Sequence, residues 1–397
     1  MPVHAPHLFL KGRNEGIKMK SYFCSTIAAS LCAILPGTVS AQEDAPGQIE
    51  TKLEDFRNFL QEYRRDNRVL SFSVALVKDG EIVLAEGIGW QDHDAEEPTT
   101  ADTSYLVASI TKTFTAATLL QMDADGHIDL DDDFTELSDW DGRCEWLAGS
   151  GIIFGGGTLE DGTVIEAPRC DTPITLRQVL SHRVNGEPGT RFFYNPVVFG
   201  RLANYVEEQT GRSWVDWVDQ YVIDKGNLND IAAGWRDEDK GHVLTHLAPP
   251  FMHVPLEEDS DGLQPSPLPN PEMNASSGII ASARVLAEYS IALDENRIMT
   301  EELKERMWTP PTDLDGTPAP HAYGWFVQDW EGHRLVWHTG WWPDAYAGLL
   351  LKAPDDGWTL VALGNTDGIR TDINTLADAR VQDHPLAAEF LKTFVAD

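Results

Sequence analysis

Residues 50–66 place Leu53, Phe56, Phe59, Leu60 and Tyr63 three and four positions apart, which predicts an amphipathic helix. The period then drops to two. Leu70 to Val77 and Ile82 to Ala85 are strand-like and flank Lys78-Asp79-Gly80, a β-hairpin signal. Helical spacing returns over 110–124, which stops near Gly126, over Thr175 to Ser181, and over Phe199 to Thr210, which stops at Gly211. Trp214 to Tyr221, Ala283 to Leu293 and Glu301 to Met307 continue in the same way. Between them, 237–272 is rich in proline and acid and predicts loop. Strand-like runs reappear only late: Tyr323 to Trp330, Leu335 to His338, Tyr346 to Lys352 and Thr359 to Gly364.

Strands at both ends with helices between them predict an α+β fold. One antiparallel sheet would draw on both N- and C-terminal strands, with flanking helices and a mostly helical lobe inserted in the middle.

The N-terminus predicts a different fate. Lys18 and Lys20 precede an apolar run from Ile27 to Leu35, and Thr38-Val39-Ser40-Ala41 supplies small residues before Gln42. This is the layout of a secretory signal peptide over 1–41, with Met19 as an alternative start. The run is too short for a permanent anchor. A periplasmic or secreted protein is expected, with residues 42–397 as its one domain.

Composition narrows the partners. The chain of 397 residues is 42% hydrophobic and 24% charged, with a formal net charge of −34. Loss of 1–41 removes Lys11, Arg13, Lys18 and Lys20 against Glu15 alone, which makes the rest more acidic still. Such a surface repels nucleic acid and anionic membranes. Two cysteines remain after 1–41, Cys144 and Cys170, on either side of a glycine-rich stretch. In an exported protein they predict one disulfide, which would contribute about 3 kcal/mol. Two buried free thiols are the alternative. No H-E-x-x-H, phosphate-binding glycine loop or G-x-S-x-G elbow is present. The aspartates from Asp123 to Asp133 lack the glycine and glutamate positions of an EF-hand. No metal or cofactor is expected.

The candidate chemistry begins at Ser109-Ile110-Thr111-Lys112. Serine and lysine three apart on a helix share a face, so their side-chain ends can meet. A lysine with a depressed pKa can take the serine proton. Taken alone, the spacing equally describes a capping serine followed by a solvated lysine.

The surrounding segments decide between these. Tyr105 to Asp133 contains Ala-Ser-x-Thr-Lys and a trailing Gly-x-x-Asp-Leu-Asp-Asp, and resembles the nucleophile segment of the serine β-lactamase and penicillin-binding protein superfamily. Thr175 to His182 is similar to its L-L-x-H segment. Pro188 to Tyr194, Ser276 to Ala287 and His338-Thr339-Gly340 follow in family order, so the resemblance spans about residues 50–365. Among its branches, class C β-lactamases and family VIII esterases are the nearest in kind.

The resemblance implies roles. Ser109 would be the acylated nucleophile, Lys112 the amine that deprotonates it, and Tyr194 a proton relay. A phenol needs nearby cations to act as a base, and Lys112 would supply one. His338 would tune both electrostatically, or else be a strand histidine with a structural hydrogen bond. Gly340 would let substrate approach, and the backbone N–H groups of Ser109 and Trp341 would form an oxyanion hole. Trp341 and Trp342 would wall the acyl pocket or pack in the core.

One position departs from the family pattern. The third place of Y-x-N holds Pro196, and Asn195 stands one place early. Unless Asn195 binds substrate from a shifted backbone, recognition of acylamino β-lactams and D-Ala-D-Ala peptides weakens. The expected function is therefore hydrolysis of a small ester or amide through an acyl-serine, with esters slightly favoured. D-Ala-D-Ala-type peptides and β-lactams are the alternatives. A non-catalytic binder of peptides or cell-wall fragments is the competing class.

Overall fold

Asp79 and Gly80 both take positive φ, 49° and 82°. A two-residue turn of type I′ requires this backbone between twisted strands. It joins β1 (Ser71–Lys78) to β2 (Glu81–Gly89) in the computed structural model. The structure describes residues 46–396 apart from 94–95, 160–161, 236–239, 258–259, 270–274, 315 and 371–378. The expected signal peptide over 1–41 lies outside the described residues.

The late strands form a meander: β3 (Phe326–Trp330), β4 (His333–Trp342), β5 (Tyr346–Ala353) and β6 (Trp358–Gly364). The six strands of this sheet run in the order β2-β1-β6-β5-β4-β3, each antiparallel to its neighbours. β1 pairs with β6, with Phe72 opposite Gly364 and Lys78 opposite Trp358. The N-terminal hairpin therefore closes against the C-terminal meander, and the fold is α+β as expected.

Both faces of the sheet are covered, and the strand period of two sorts the side chains between them. Phe72, Val74 and Leu76 pack with Leu53, Phe56 and Leu60 of helix α1 (Pro46–Asp66), and with Leu386 and Phe390 near the C-terminus. Ala75 and Val77, with Val361 and Leu363, face a larger helical core that holds Phe114 and Leu119 of helix α2 (Thr111–Ala124). Every residue of α2 from Thr111 to Met122 is buried. A helix so enclosed must satisfy its hydroxyls internally. Thr111 Oγ1 accepts from the Ile279 N–H, at 3.0 Å. Thr115 Oγ1 donates to the Ala275 carbonyl, at 2.6 Å, and accepts from Trp214 Nε1, at 3.2 Å.

Two regions differ from the sequence reading. The helix expected over Phe199 to Thr210 starts earlier and comes as two pieces, Pro196–Gly200 and Leu202–Thr210. Asn195 caps the first piece and Pro196 occupies its first turn, where a proline loses no helical hydrogen bond. The stretch 237–272, expected to be loop, contains a short helix, Gly241–Thr245, and a strand pair, Phe251–His253 with Leu263–Pro265.

The glycine-rich insert starts with the helix Trp140–Gly149, turns through Ile153–Gly155, and pairs Gly157–Thr158 with Val164–Ile165. The Cys144 and Cys170 sulfurs lie 1.99 Å apart across a sequence separation of 26. No described helix is long and apolar enough to cross a membrane.

Candidate active site

The turn into α2 presents Ser109. The short strand Ser104–Leu106 pairs with Ile280–Ser282, and the chain must then swing sharply into the helix. Ala108 makes the swing at φ 47°, a left-handed conformation uncommon outside glycine. Such strain is kept where surrounding packing enforces it. Strand β4 supplies the packing. A Cβ at Gly340 would lie 2.2 Å from the Val107 carbonyl oxygen, so only glycine lets the strand run this close. Ser109 is left partly accessible, while its neighbours Ala108 and Ile110 are buried.

Lys112, the second residue of α2, is wholly buried. Its Nζ lies 3.0 Å from Ser109 Oγ and donates to the Ser276 carbonyl at 2.9 Å. Burial holds its pKa well below the usual lysine value. A lysine deprived of its charge in this way has a lone pair for the serine proton.

Tyr194 faces the same pair from a loop across the site. Lys112 Nζ stands 5.1 Å from its ring centre, and its phenol lies near enough to Ser109 for the serine to bear on its pKa. The structure thus brings Ser109, Lys112 and Tyr194 together. Burial raises the phenol pKa, and the Ser109 contact only partly opposes this. Tyr194 therefore stays a neutral proton donor. This changes its expected part: the cation that was to turn it into a base is absent, because Lys112 is itself biased towards neutrality.

His338 is fully buried, with its ring centre 6.0 Å from that of Tyr194. Its Nδ1 lies 2.6 Å from the Thr339 carbonyl oxygen. A carbonyl only accepts, so Nδ1 carries the proton. Burial keeps the ring neutral. His338 can line the underside of the phenol, but it supplies no positive charge.

Asn195 does not face the site, which corrects its assignment to substrate binding. The residue is fully buried. Its Oδ1 accepts from the Val198 N–H at 3.1 Å, and its Nδ2 donates to Phe154 O and Asn185 Oδ1 at 3.0 and 2.8 Å. Its carboxamide is fully occupied as a helix cap and a tie to the insert. Trp341 is 40% exposed, with Nε1 donating to Asp367 Oδ1 at 2.9 Å and Arg370 5.2 Å from its ring centre.

Three contributors escaped the sequence reading. The Ser276 carbonyl that holds Lys112 is backbone and has no residue-type signal. His321, buried beside His182 and His338, belongs to no motif. His182 lies in the L-L-x-H-like segment, but the spacing alone gave it no role. Among the described residues, no group of three or more potential metal ligands converges.

Comparison with known proteins bears on the family and the fold. The family model "Beta-lactamase" matches residues 56–382. The D-aminopeptidase of Brucella anthropi is 27% identical over 316 residues, covering 72% of this chain and 54% of that protein. The chain spans about half the length of the D-aminopeptidases it matches. Among solved structures, the octameric penicillin-binding protein homologue from Pyrococcus abyssi superposes with a TM-score of 0.63 at 20% identity, covering 83% of this chain and 76% of that one. EstCE1, a hydrolase with promiscuous acyltransferase activity, does so with a TM-score of 0.59 at 15% identity, covering 83% and 99%. At these identities the structural likenesses show a shared fold.

Proposed function

The chain belongs to the Beta-lactamase family, and we propose that it is a serine hydrolase that cleaves a small ester or amide through an acyl-Ser109 intermediate, outside the cytoplasm. The observation that carries this is the meeting of a buried amine, 3.0 Å from Ser109 Oγ, and a buried phenol beside a partly exposed serine. Ser109 Oγ attacks the acyl carbon as its proton passes to the neutral Lys112 Nζ. The developing oxyanion lies between the backbone N–H groups of Ser109 and Trp341. Tyr194 gives its phenolic proton to the leaving oxygen or nitrogen, and the proton held by Lys112 restores the phenol. Water then attacks the acyl carbon, its proton goes to the same base, and Ser109 is released protonated.

On substrate class, the withdrawn Asn195 carries the argument. A site with no asparagine donor beside the tyrosine loses the side chain that would hold an acylamino carbonyl. That favours small acyl groups over β-lactams. The likeness to D-aminopeptidases supports a second reading, amides of D-amino acids. Hydrolysis rates on p-nitrophenyl esters, D-amino acid amides and nitrocefin separate the readings. The proposal expects turnover of one of the first two classes well above that of nitrocefin. Nitrocefin as the best substrate would overturn the class assignment, and no covalent adduct in a folded protein would overturn the enzyme reading.

A further inference from the structure

Tyr194 is held from behind by one residue. The N–H of Phe193, just before it, donates to the His182 carbonyl at 2.9 Å. The N–H of Asn195, just after it, donates to His182 Nδ1 at 3.0 Å. The His182 ring also lies against the phenol, with centres 4.4 Å apart. Two backbone donors on either side of the tyrosine therefore converge on a single histidine.

That histidine is held under constraint. Its φ is 54°, left-handed for a residue with a Cβ. It is fully buried, and its Nε2 has no hydrogen-bond partner. A nitrogen that accepts a backbone N–H carries no proton, so His182 must be the Nε2–H form. The two buried histidines beside it differ: His321 Nδ1 lies 2.7 Å from the Ala322 carbonyl oxygen and His338 Nδ1 2.6 Å from that of Thr339, so both are Nδ1–H forms. The charged and titratable groups that bear on His182 are His321, Lys112 and His338, with no carboxylate among them. Nothing there stabilises an imidazolium, which keeps the accepting nitrogen free.

We propose that His182 is a positioning residue for the reaction, its carbonyl and neutral Nδ1 clamping the backbone on both sides of Tyr194 and so setting the phenol against Ser109. The inference rests on the reading of Tyr194 as the proton relay. Displacement of a reacting group by about 1 Å can cost on the order of 100-fold in rate. The clamp therefore acts on kcat rather than on substrate binding.

The test compares His182→Asn and His182→Leu with Tyr194→Phe. Asparagine tolerates positive φ and keeps an accepting oxygen near the Nδ1 position; leucine keeps bulk but accepts nothing. The expected result is a kcat about 10- to 100-fold down in His182→Leu with KM little changed, and most of kcat retained in His182→Asn. Wild-type kcat in folded His182→Leu, beside a crippled Tyr194→Phe, would overturn the clamp alone. Wild-type kcat in Tyr194→Phe would overturn the relay reading beneath it. A loss in His182→Asn as deep as in His182→Leu would assign the effect to ring packing and overturn the clamp. Should His182→Leu not fold, nitrogen-15 histidine NMR on the wild-type protein decides. The clamp requires an Nε2–H His182 beside Nδ1–H His321 and His338 at neutral pH, and an Nδ1–H or doubly protonated His182 would overturn it.

Discussion

The two halves of the active site reach Ser109 by different routes. Lys112 arrives in the first turn of α2, three residues after the nucleophile, so local helical geometry delivers it. Tyr194 arrives from a loop, and its placement depends on His182, Asn195, Asn185 and the Phe154 carbonyl of the insert. The electrostatic treatment is opposite in effect though the cause is one. Burial drives the amine to give up its proton and the phenol to keep one. A single dry pocket thus yields a base on one side and an acid on the other, without a carboxylate at either.

The largest effect falls on the serine oxygen. Ser109→Ala should abolish turnover, with roughly 10⁴-fold or greater loss by steady-state kinetics and unchanged folding by circular dichroism. On the helix side, Lys112→Met should lower kcat by about 10²- to 10⁴-fold. It should also leave the melting temperature equal or higher, because it removes a buried polar group at the cost of one carbonyl partner. A melting temperature that collapses with activity would make Lys112 structural and break the contrast.

Gly340→Ala probes the strand that holds both halves. Its Cβ would meet the Val107 carbonyl at 2.2 Å, so a loss of about 1–3 kcal/mol in stability is expected by denaturant titration, with reduced kcat. The pH profile sharpens the acid–base division. Activity should rise with pH through the depressed Lys112 value, and no loss from Tyr194 should appear below the ordinary tyrosine range. Folding follows the same sign. Between the depressed value and the usual lysine pKa the unfolded chain binds one more proton than the folded one, so the Lys112 contribution makes stability increase with pH there. The smallest effect on rate belongs to the insert. Cys144→Ser with Cys170→Ser should lower stability by about 3 kcal/mol while changing kcat only a few-fold, through Phe154.

This contrast also explains what was legible in the sequence. The hairpin at Asp79-Gly80, the late meander and α2 could be read because period and turn chemistry are local properties. The Ser109–Lys112 pair was legible for the same reason. On the tyrosine side legibility failed where contacts are remote. His321 is 139 positions from His182 along the chain and joins it only through the folded sheet. Asn195 was misassigned although a local signal was present. An asparagine followed directly by proline is a common helix start, cap then first turn, and Pro196 marked Asn195 as a cap rather than a ligand.

The most direct measurement of the account is active-site mapping with a fluorescent phosphonate followed by peptide mass spectrometry. A single adduct on Ser109 is expected, forming fast in the wild-type protein and much more slowly in folded Lys112→Met. An adduct on another residue, or equal labelling rates in the two proteins, would contradict the claim that a buried neutral lysine activates this serine.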